Sequence, residues 1–309
     1  MPPIKKLKDV IELVKSQKTK RVVVAYGQDE MSVLASKKAI DLGLADVTLV
    51  GDSNIIKQAC KATNVDHKLF KIVDEPDEME SGRLAIDIIN SGEGDVLMKG
   101  LISTDKLLRC ILDKERGLMI PGMTLSHISV AEVKTYRKLL IFTDAAFIPT
   151  PTIQQKIIMT QYVINTARKL GIKRPKIALI SYSEKTNPKV QSIIDAAIIA
   201  KMAERGEFKD ADVDGPLSID TAVDPDSVRA KGLKSCVEGN ADGLVFPYLV
   251  VGNVFYKALT YFAKAAMATY IVGTKAPTAI SSRNDTEMNK LYSVAFACLM
   301  AEKDVEEEE

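Results

Sequence analysis

Short apolar runs alternate with helical patterns along almost the whole chain, and this alternation restricts the fold more than any other feature. Several runs are continuous rather than alternating, which is typical of strands whose two faces are both covered in a parallel sheet. Strands that alternate with helices predict an α/β fold with mostly parallel sheets and helices on both faces. The predicted strands are 21–27, 47–52, 95–100, 139–144, 176–183, 242–247, 269–274 and 278–282.

One predicted helix has clear signals at both ends. Thr152 has the position of an N-cap residue, and Gly171 stands where helices commonly end in the left-handed conformation. We therefore expect a helix over 153–170.

Residues 7–14 have the apolar period of an amphipathic helix, and the amino terminus lacks the apolar core of a secretory signal.

The segment before the helix over 153–170 contains Pro149 and Pro151, which disfavour helical structure. We place a domain boundary there, because two domains are the usual expectation for 309 residues. The chain is expected to return to its first domain near 270–277. The predicted domains are 1–148 plus 275–309 for the first and 149–274 for the second.

The composition excludes several classes of protein. The formal net charge is +1 and tryptophan is absent, so neither nucleic acid nor a membrane surface is favoured as a partner. The four cysteines form no C-x-x-C pair and only two histidines are present, so the spacing of a zinc site is absent. No apolar stretch is long enough to span a membrane. We expect a cytoplasmic protein that acts on small molecules and holds no metal.

Motifs for most kinds of catalysis are also missing. There is no G-x-x-x-x-G-K-[ST], no G-x-G-x-x-G after a strand and no G-x-S-x-G. The chain thus offers little for covalent or metal chemistry. His127 fits a structural histidine or a loop hydrogen bond, and with Ser126 it could also face a binding cleft.

Two segments carry hydroxyl groups and an arginine where a predicted strand gives way to a helix. The first, ISTDKLLR, contains Ser103, Thr104 and Arg109, and the second, ISSRNDTEMNK, contains Ser281, Ser282 and Arg283. In open α/β sheets, ligands bind at the carboxyl ends of strands, where helix N-termini favour anions. Arginine adds a rigid fork of donors for phosphate or carboxylate.

The same residues have simpler interpretations. Ser103 and Thr104 could only cap a helix, and Arg283 could be a surface arginine paired with Asp285 or Glu287. Asn284 and Glu287 have the spacing of a capping box, with asparagine in place of the usual serine or threonine. The pattern alone therefore indicates a phosphate- or carboxylate-binding α/β protein and no more.

At these segments the sequence resembles the phosphate acetyltransferase/phosphate butyryltransferase family, and the butyryltransferase branch more closely. The matching stretches lie in family order over about 98–292, while the first 95 residues match only in general character. They are MKGLISTDKLLR, LSHISVAEV, IFTDAAF, NPKVQSIIDAA, DVDGPLSIDTAV, VGNVFYKAL and KAPTAISSRNDTEMNKLYS.

The resemblance implies two α/β domains with a cleft between them, similar to the isocitrate dehydrogenase architecture. It implies the reaction acyl-CoA + phosphate ⇌ acyl phosphate + CoA, with butyryl-CoA preferred, coenzyme A as substrate or product, and no permanently bound cofactor. A homo-oligomer, a dimer or higher, is expected. The residues implied to line the phosphate and thioester site are Ser103, Arg109, Ser282 and Arg283, with Thr104, Asn187, Asn253 and Ser281 as further substrate-binding candidates.

One position departs from the acetyltransferase branch. That branch has an aspartate six residues after the late arginine as the proposed acid/base for the CoA thiol, whereas this chain has Asn289. Asp285 or Glu287 could substitute, or solvent could protonate the leaving group. We assign no catalytic base.

Other residues in the matching stretches have one or two interpretations each. Asp144 could pair with an arginine or cap a helix, and Asn253 could cap a helix or line the cleft. Asn187 could face the cleft or form a turn, and 214–216 could form a tight turn.

Three rival functions also stay open. Phosphate acetyltransferase activity would show as a preference for acetyl-CoA, and a non-catalytic CoA- or acyl-phosphate-binding protein would show no turnover. A hydroxy-acid dehydrogenase would need nicotinamide and metal-binding carboxylates.

Overall fold

The computed structural model describes residues 2–280 and 285–301. Its helices are Leu7–Lys15 (α1), Glu30–Asp41 (α2), Ser53–Ala62 (α3), Glu78–Asn90 (α4), Thr104–Ile111 (α5), Ile153–Lys169 (α6), Gln191–Glu204 (α7), Ile219–Val223 (α8), Pro225–Ala230 (α9), Leu249–Tyr261 (α10) and Glu287–Met300 (α11). Its strands are Lys20–Ala25 (β1), Ala45–Gly51 (β2), Lys71–Asp74 (β3), Val96–Lys99 (β4), Ser126–Glu132 (β5), Leu140–Thr143 (β6), Lys176–Ile180 (β7), Asp212–Leu217 (β8), Gly243–Val245 (β9), Ala266–Val272 (β10) and Thr278–Ala279 (β11). None of the helices within these ranges is both long and apolar enough to cross a membrane.

The chain divides into two compact units. The first unit comprises Lys8–Leu125 and Ala268–Glu309, and the second comprises Met1–Leu7 and Ser126–Met267. These divisions differ from the predicted domain boundaries at 148/149 and 274/275. The first of these differences arises because β5 pairs with β6, and β6 pairs in parallel with β9, so both strands belong with the strands of the second unit.

In the first unit the strands lie in the order β3-β2-β1-β4-β11-β10. Every described pair is parallel except β10 with β11. All four residues of β4 are buried, so both faces of the sheet are covered at that strand. Tyr270 stacks on Phe296 of α11 with ring centroids 5.5 Å apart, and both side chains are fully buried.

In the second unit the strands lie in the order β5-β6-β9-β7-β8. β5 and β6 are antiparallel, and the other pairs are parallel. Phe142 packs edge-on against Phe246 and Phe255, with centroids 5.9 Å and 5.3 Å away. The predicted α/β fold with mostly parallel strands is therefore confirmed.

The helix ends test the local predictions. Thr152 caps α6 and forms a capping box with Gln155, and Gly171 follows the helix with φ of 82°, as predicted. The predicted capping box of Asn284 and Glu287 is wrong, because Thr286 is the N-cap of α11 and accepts a hydrogen bond from the backbone N–H of Asn289.

Three strands, β3, β5 and β8, were not predicted. Residues 214–216, predicted as a tight turn, lie within β8. β8 stands at the end of the strand order of its unit, and a strand at that place tolerates Pro216, which has no backbone N–H to donate.

Candidate active site

Strands β4 and β11 lie side by side and run in the same direction, with Thr278 in register with Leu97. β4 is also parallel to β1, so the carboxyl ends of these three strands meet at one edge of the sheet. The chain leaves β4 towards Ser103 and leaves β11 towards residues 281–284. The two segments that the sequence singled out therefore follow neighbouring strand ends.

Gly100 shapes the exit from β4. A Cβ atom at this position would lie 2.6 Å from the carbonyl oxygen of Tyr26 and 2.7 Å from that of Ala25. The N–H groups of Gly100 and Leu101 donate to the carbonyl oxygens of Ala25 and Tyr26 at 3.0 Å and 2.9 Å. The backbone that leads to Ser103 is therefore held close to the end of β1, and only glycine fits there.

Ser103 is the N-cap of α5, as its position in the sequence indicated. Its Oγ accepts a hydrogen bond from the backbone N–H of Lys106 at 3.3 Å. Thr104, the first helical residue, is exposed. Among the described residues, no acceptor faces the backbone N–H of Thr104 or Asp105. These two donors and the positive end of the helix dipole can hold an anion.

Arg109 lies in the last turn of α5 and is exposed. It forms no ion pair with any residue in the described ranges. It lies six residues after Ser103, about 9 Å further along the helix axis. Ser281, Ser282 and Arg283 lie outside the described residues.

Glu78, the first residue of α4, was missed by the sequence reasoning. Its Oε1 accepts from the backbone N–H of Ser103 at 2.7 Å, and its Oε2 accepts from Nζ of Lys106 at 2.6 Å. The hydrogen bond from Lys106 lowers the pKa of the Glu78 carboxyl, and the same contact raises the pKa of the Lys106 ammonium. Both groups are therefore charged at neutral pH.

The start of α11 bears on the question of an acid/base group. Asn289 is 8% exposed and occupies the third position of the helix. Glu287, considered above as a substitute, forms an ion pair with Lys38 at 3.0 Å. An amide cannot exchange a proton, so Asn289 supplies no general acid.

In the second unit, Asp144 collects four hydrogen bonds at the end of β6. Its Oδ1 accepts from the N–H groups of Ala146 and Phe147 at 2.6 Å and 2.8 Å, and its Oδ2 accepts from Ser126 Oγ at 2.9 Å and His127 N at 3.1 Å. It is 2% exposed. Among the described residues no arginine pairs with Asp144 and no helix begins there, so both predicted roles are wrong. The carboxylate instead ties the loop after β6 to the start of β5.

His127 is buried at the start of β5. Its ring is roughly perpendicular to those of Phe147 and Tyr256, and Nδ1 lies 3.4 Å from the hydroxyl of Ser129. Burial lowers the pKa of the imidazole, although the Asp144 charge opposes this. The ring is therefore neutral at physiological pH, in agreement with the structural interpretation.

Gly252 and Asn253 lie inside α10, so the predicted capping role of Asn253 is wrong. The helix starts at Leu249, four residues before Asn253. Nδ2 of Asn253 donates to the carbonyl oxygen of Ala145 at 3.1 Å. A Cβ atom on Gly252 would lie 2.1 Å from the carbonyl oxygen of Asp144, so glycine is required for this approach.

Asn187 lies in the loop between β7 and α7. Its Oδ1 accepts from the backbone N–H of Lys189 at 2.9 Å, so the predicted turn is present. The residue also lines a groove of about 400 Å³ whose other side is formed by apolar residues of α7, including Ile194 and Ile198. The groove is built entirely within the second unit.

Charged groups gather after β7 and β8. Glu184 accepts from Thr221 Oγ1 at 2.9 Å and from Lys231 Nζ at 3.0 Å, and Ser218 Oγ bonds both Glu184 and Asp220. Burial raises the pKa of the Glu184 carboxyl, but these hydrogen bonds outweigh it and hold the pKa at about 2. The Lys231 and Ser218 contacts likewise hold the pKa of Asp220 at about 2.

A hollow of about 650 Å³ lies along β8 and includes Arg174, Asp212 and Cys236. It contains none of the predicted site residues. Burial raises the pKa of the Cys236 thiol to about 11, which makes it a poor nucleophile. Because ligands in such sheets bind at the carboxyl ends of strands, we do not place the active site there.

The described residues hold no cluster of three or more histidine, cysteine, aspartate or glutamate side chains that could bind a metal ion.

The fold matches that of a branched-chain phosphotransacylase from Enterococcus faecalis V583, with a TM-score of 0.80, 31% identity, and coverage of 92% of this chain and 99% of that one. This likeness defines the class as a phosphotransacylase-like α/β protein.

The family model described as phosphate acetyl/butaryl transferase matches residues 6–87 and 78–298, and the chain belongs to that family. A phosphate butyryltransferase from Clostridium acetobutylicum is 39% identical over 298 residues, covering 96% of this chain and 99% of that protein. A phosphate acetyltransferase from Thermotoga maritima is 35% identical over 295 residues, with 96% and 99% covered. The resemblance drawn from the sequence is confirmed.

Proposed function

We propose that this phosphate acyltransferase interconverts a short-chain acyl-CoA plus phosphate with acyl phosphate plus CoA, with butyryl-CoA as the preferred thioester. The observation that carries the proposal is the parallel pairing of β4 with β11. It supports a single anion site built from the segments that follow these two strands.

The reaction needs no protein nucleophile. An oxygen of the phosphate attacks the thioester carbonyl carbon, a C–O bond forms, and the C–S bond breaks with departure of CoA as a thiolate. The protein has to hold the phosphate at near-attack distance, about 3–3.5 Å from the carbonyl carbon. It also has to stabilise the oxyanion that develops on the carbonyl oxygen.

The donors at the start of α5 suit the first task. The N–H groups of Thr104 and Asp105, which meet no acceptor among the described residues, lie at a helix end, where the dipole favours a dianion. We propose that Ser103, Arg109, Ser282 and Arg283 are the catalytic residues and that Thr104 and Ser281 bind substrate beside them. Asn187 and Asn253 are proposed as substrate-binding residues of the second unit.

Protonation of the leaving group needs little help. The CoA thiol has a pKa of roughly 8.5 by analogy with cysteine, so the thiolate is a good leaving group near neutral pH. Asn289 cannot donate a proton, and Glu287 is engaged with Lys38. We propose that solvent protonates the thiolate, with Asp285 as the alternative.

Butyryl-CoA is proposed over acetyl-CoA because the phosphate butyryltransferase from Clostridium acetobutylicum is 39% identical, against 35% for the phosphate acetyltransferase from Thermotoga maritima. One methylene group in a pocket is worth only ~1–3 kcal/mol, so the preference is a matter of degree. A series of acyl-CoA substrates from two to five carbons measures it directly.

A homo-oligomer is also proposed. Apart from Gly252, no residue of α10 is buried. Val250, Val254 and the following Phe262 are 65%, 61% and 90% exposed. Such an exposed apolar face commonly marks an interface, and we propose that a second copy of the chain covers it.

The test of the function is release of free thiol from butyryl-CoA, followed with a chromogenic disulfide in the presence and absence of phosphate. Arg283→Ala should lower kcat/KM by roughly 100-fold or more, the usual effect of losing one donor to the transition state. Arg283→Lys should stay within about tenfold of the alanine variant, because the bidentate fork is lost.

Arg205→Ala is the matched control, since Arg205 is an exposed arginine at the end of α7 in the other unit. Its kcat/KM should equal that of the unsubstituted chain. No phosphate-dependent thiol release with any short acyl-CoA would refute the proposed function, and full activity in Arg283→Lys would refute the role of that arginine.

A further inference from the structure

Glu78 joins the start of α4 to the start of α5. One carboxylate oxygen accepts from the N–H of Ser103 at 2.7 Å and the other from Nζ of Lys106 at 2.6 Å. The residues concerned are 25 and 28 positions away in the chain. The Glu78 and Lys106 side chains are 26% and 44% exposed. The pair therefore lies at the surface of the unit, where its charges can interact with a bound ligand.

The position of Glu78 is well determined by its surroundings. Asp77 caps α4 through the N–H groups of Met79 and Glu80, at 2.8 Å and 2.9 Å. One turn further on, a Cβ atom at Gly82 would lie 2.7 Å from Ile102 Cδ1. α4 therefore packs directly against the segment that leads to Ser103, and the carboxylate has little freedom to move away.

The two contacts of Glu78 act on the anion site in different ways. The bond to Ser103 fixes the backbone directly before the N–H groups of Thr104 and Asp105, which have no acceptor in the part of the chain that the structure describes. The bond to Lys106 cancels a positive charge on the first turn of the same helix. Without Glu78, the helix start would carry one additional unbalanced positive charge beside a bound phosphate.

We propose that Glu78 is a positioning residue of the phosphate site: it holds Ser103 in place and, by neutralising Lys106, sets the affinity for phosphate without touching it. The inference rests on the proposed function, because it takes α5 as part of the phosphate site. Glu78 thus has two proposed roles, a geometric one through Ser103 and an electrostatic one through Lys106, and single substitutions can test each.

The electrostatic role predicts effects of opposite sign on the KM for phosphate. Glu78→Gln keeps an oxygen for Ser103 but frees the Lys106 charge, so the KM for phosphate should fall roughly three- to fivefold, the size of a solvent-screened charge effect. Lys106→Met leaves the carboxylate unpaired, so the same KM should rise by a similar factor. The double variant should return to within about twofold of the unsubstituted chain, and all three shifts should shrink at 1 M salt.

The geometric role predicts a loss in kcat. Glu78→Ala removes the acceptor of the Ser103 N–H, so kcat should fall about tenfold or more, whereas Glu78→Gln should keep most of it. Glu93→Gln is the matched control. Glu93 pairs with Lys71 at 3.1 Å and precedes β4, at the amino-terminal edge of the same sheet, so this variant should have unchanged kinetics.

Two measurements on each variant test the proposed roles of Glu78. The first is steady-state kinetics with phosphate and butyryl-CoA varied separately, and the second is thermal unfolding. Equal or same-sign shifts of the phosphate KM in Glu78→Gln and Lys106→Met would overturn the inference, as would a loss of thermal stability with no kinetic change. If the unsubstituted chain turns over but the variants match it, the inference fails and the proposed function stands. If the unsubstituted chain shows no phosphate-dependent turnover, both fail.

Discussion

Replacing Gly252 with alanine adds one methyl group where α10 touches the loop that follows β6. The new Cβ would lie 2.1 Å from the carbonyl oxygen of Asp144 and 3.0 Å from Cδ2 of Phe246. Neither neighbour can easily move. The Asp144 oxygen is backbone, and its own carboxylate is held by four hydrogen bonds, while Phe246 is 2% exposed in the core.

Two opposing effects set the magnitude. Alanine is favoured over glycine inside a helix by about 1 kcal/mol. Against this, overpacking a tight contact typically costs ~1–3 kcal/mol, and displacement of α10 would also weaken the hydrogen bond from Asn253 to Ala145, worth about 1 kcal/mol. We therefore expect Gly252→Ala to reduce the free energy of unfolding by about 1–3 kcal/mol.

Gly82→Ala is the matched control. Gly82 is also inside a helix, but its added Cβ would meet side-chain atoms, Ile102 Cδ1 at 2.7 Å and Cys110 Sγ at 3.0 Å. These atoms can shift by rotation, so the helix-propensity gain should offset most of the cost, and the change should stay within about 1 kcal/mol.

Urea unfolding of both variants, followed by circular dichroism, measures the difference. The transition midpoint of Gly252→Ala should be lower than that of Gly82→Ala. If Gly252→Ala is as stable as the unsubstituted chain, the close approach between α10 and the Asp144 carbonyl is refuted, and with it the explanation for glycine at this position.

Two further predictions concern self-association and acid stability. Val254→Asp should shift the molar mass from light scattering towards that of one chain, because it places a charge on the exposed apolar face of α10, and an unchanged mass would exclude that face as the interface. The free energy of unfolding should fall as the pH drops from about 4.5 towards 2, because the ordinary pKa of Glu184 is 4.5 and contacts in the folded chain hold it at about 2. The stabilisation is present above the ordinary pKa and is lost as the carboxylate takes up a proton on passing through the folded pKa. Lys231→Met should flatten this dependence by removing one of those contacts, and an equally steep loss in the variant would show that the contact does not hold the Glu184 pKa down.

Helix ends could be predicted from the sequence where only a few adjacent residues determine them. Thr152 and Gly171 delimit α6 because capping and the left-handed conformation depend on a few adjacent residues. The capping-box prediction at Asn284 failed because α11 begins after Thr286, a residue that was not predicted as a cap. β8 was missed because glycine and proline within it resemble a turn, and only its place at the end of a strand order makes proline acceptable.

The candidate site likewise has features that the sequence predicts and features that it does not. Ser103 as an N-cap follows from its own segment, and the hydroxyl–arginine pattern in two separate segments indicated an anion site. That these segments follow neighbouring strands depends on the pairing of β4 with β11, about 180 residues apart in the sequence. Glu78 gave no signal at all, because a carboxylate in the first turn of a helix is ordinary, and its two partners lie on a different element.

The sequence by itself determined the alternation of strands and helices, the helix ends, the absence of the common catalytic motifs and the family to which the chain belongs. These properties depend on residue type and short spacing. Only the tertiary structure decided which strand ends are neighbours, that Asp144 serves backbone N–H groups rather than an arginine, and that Glu78 neutralises Lys106. Such pairings depend on contacts between residues far apart in the chain, and hydrophobic periodicity carries no information about which distant side chain will supply a charge or a hydrogen bond.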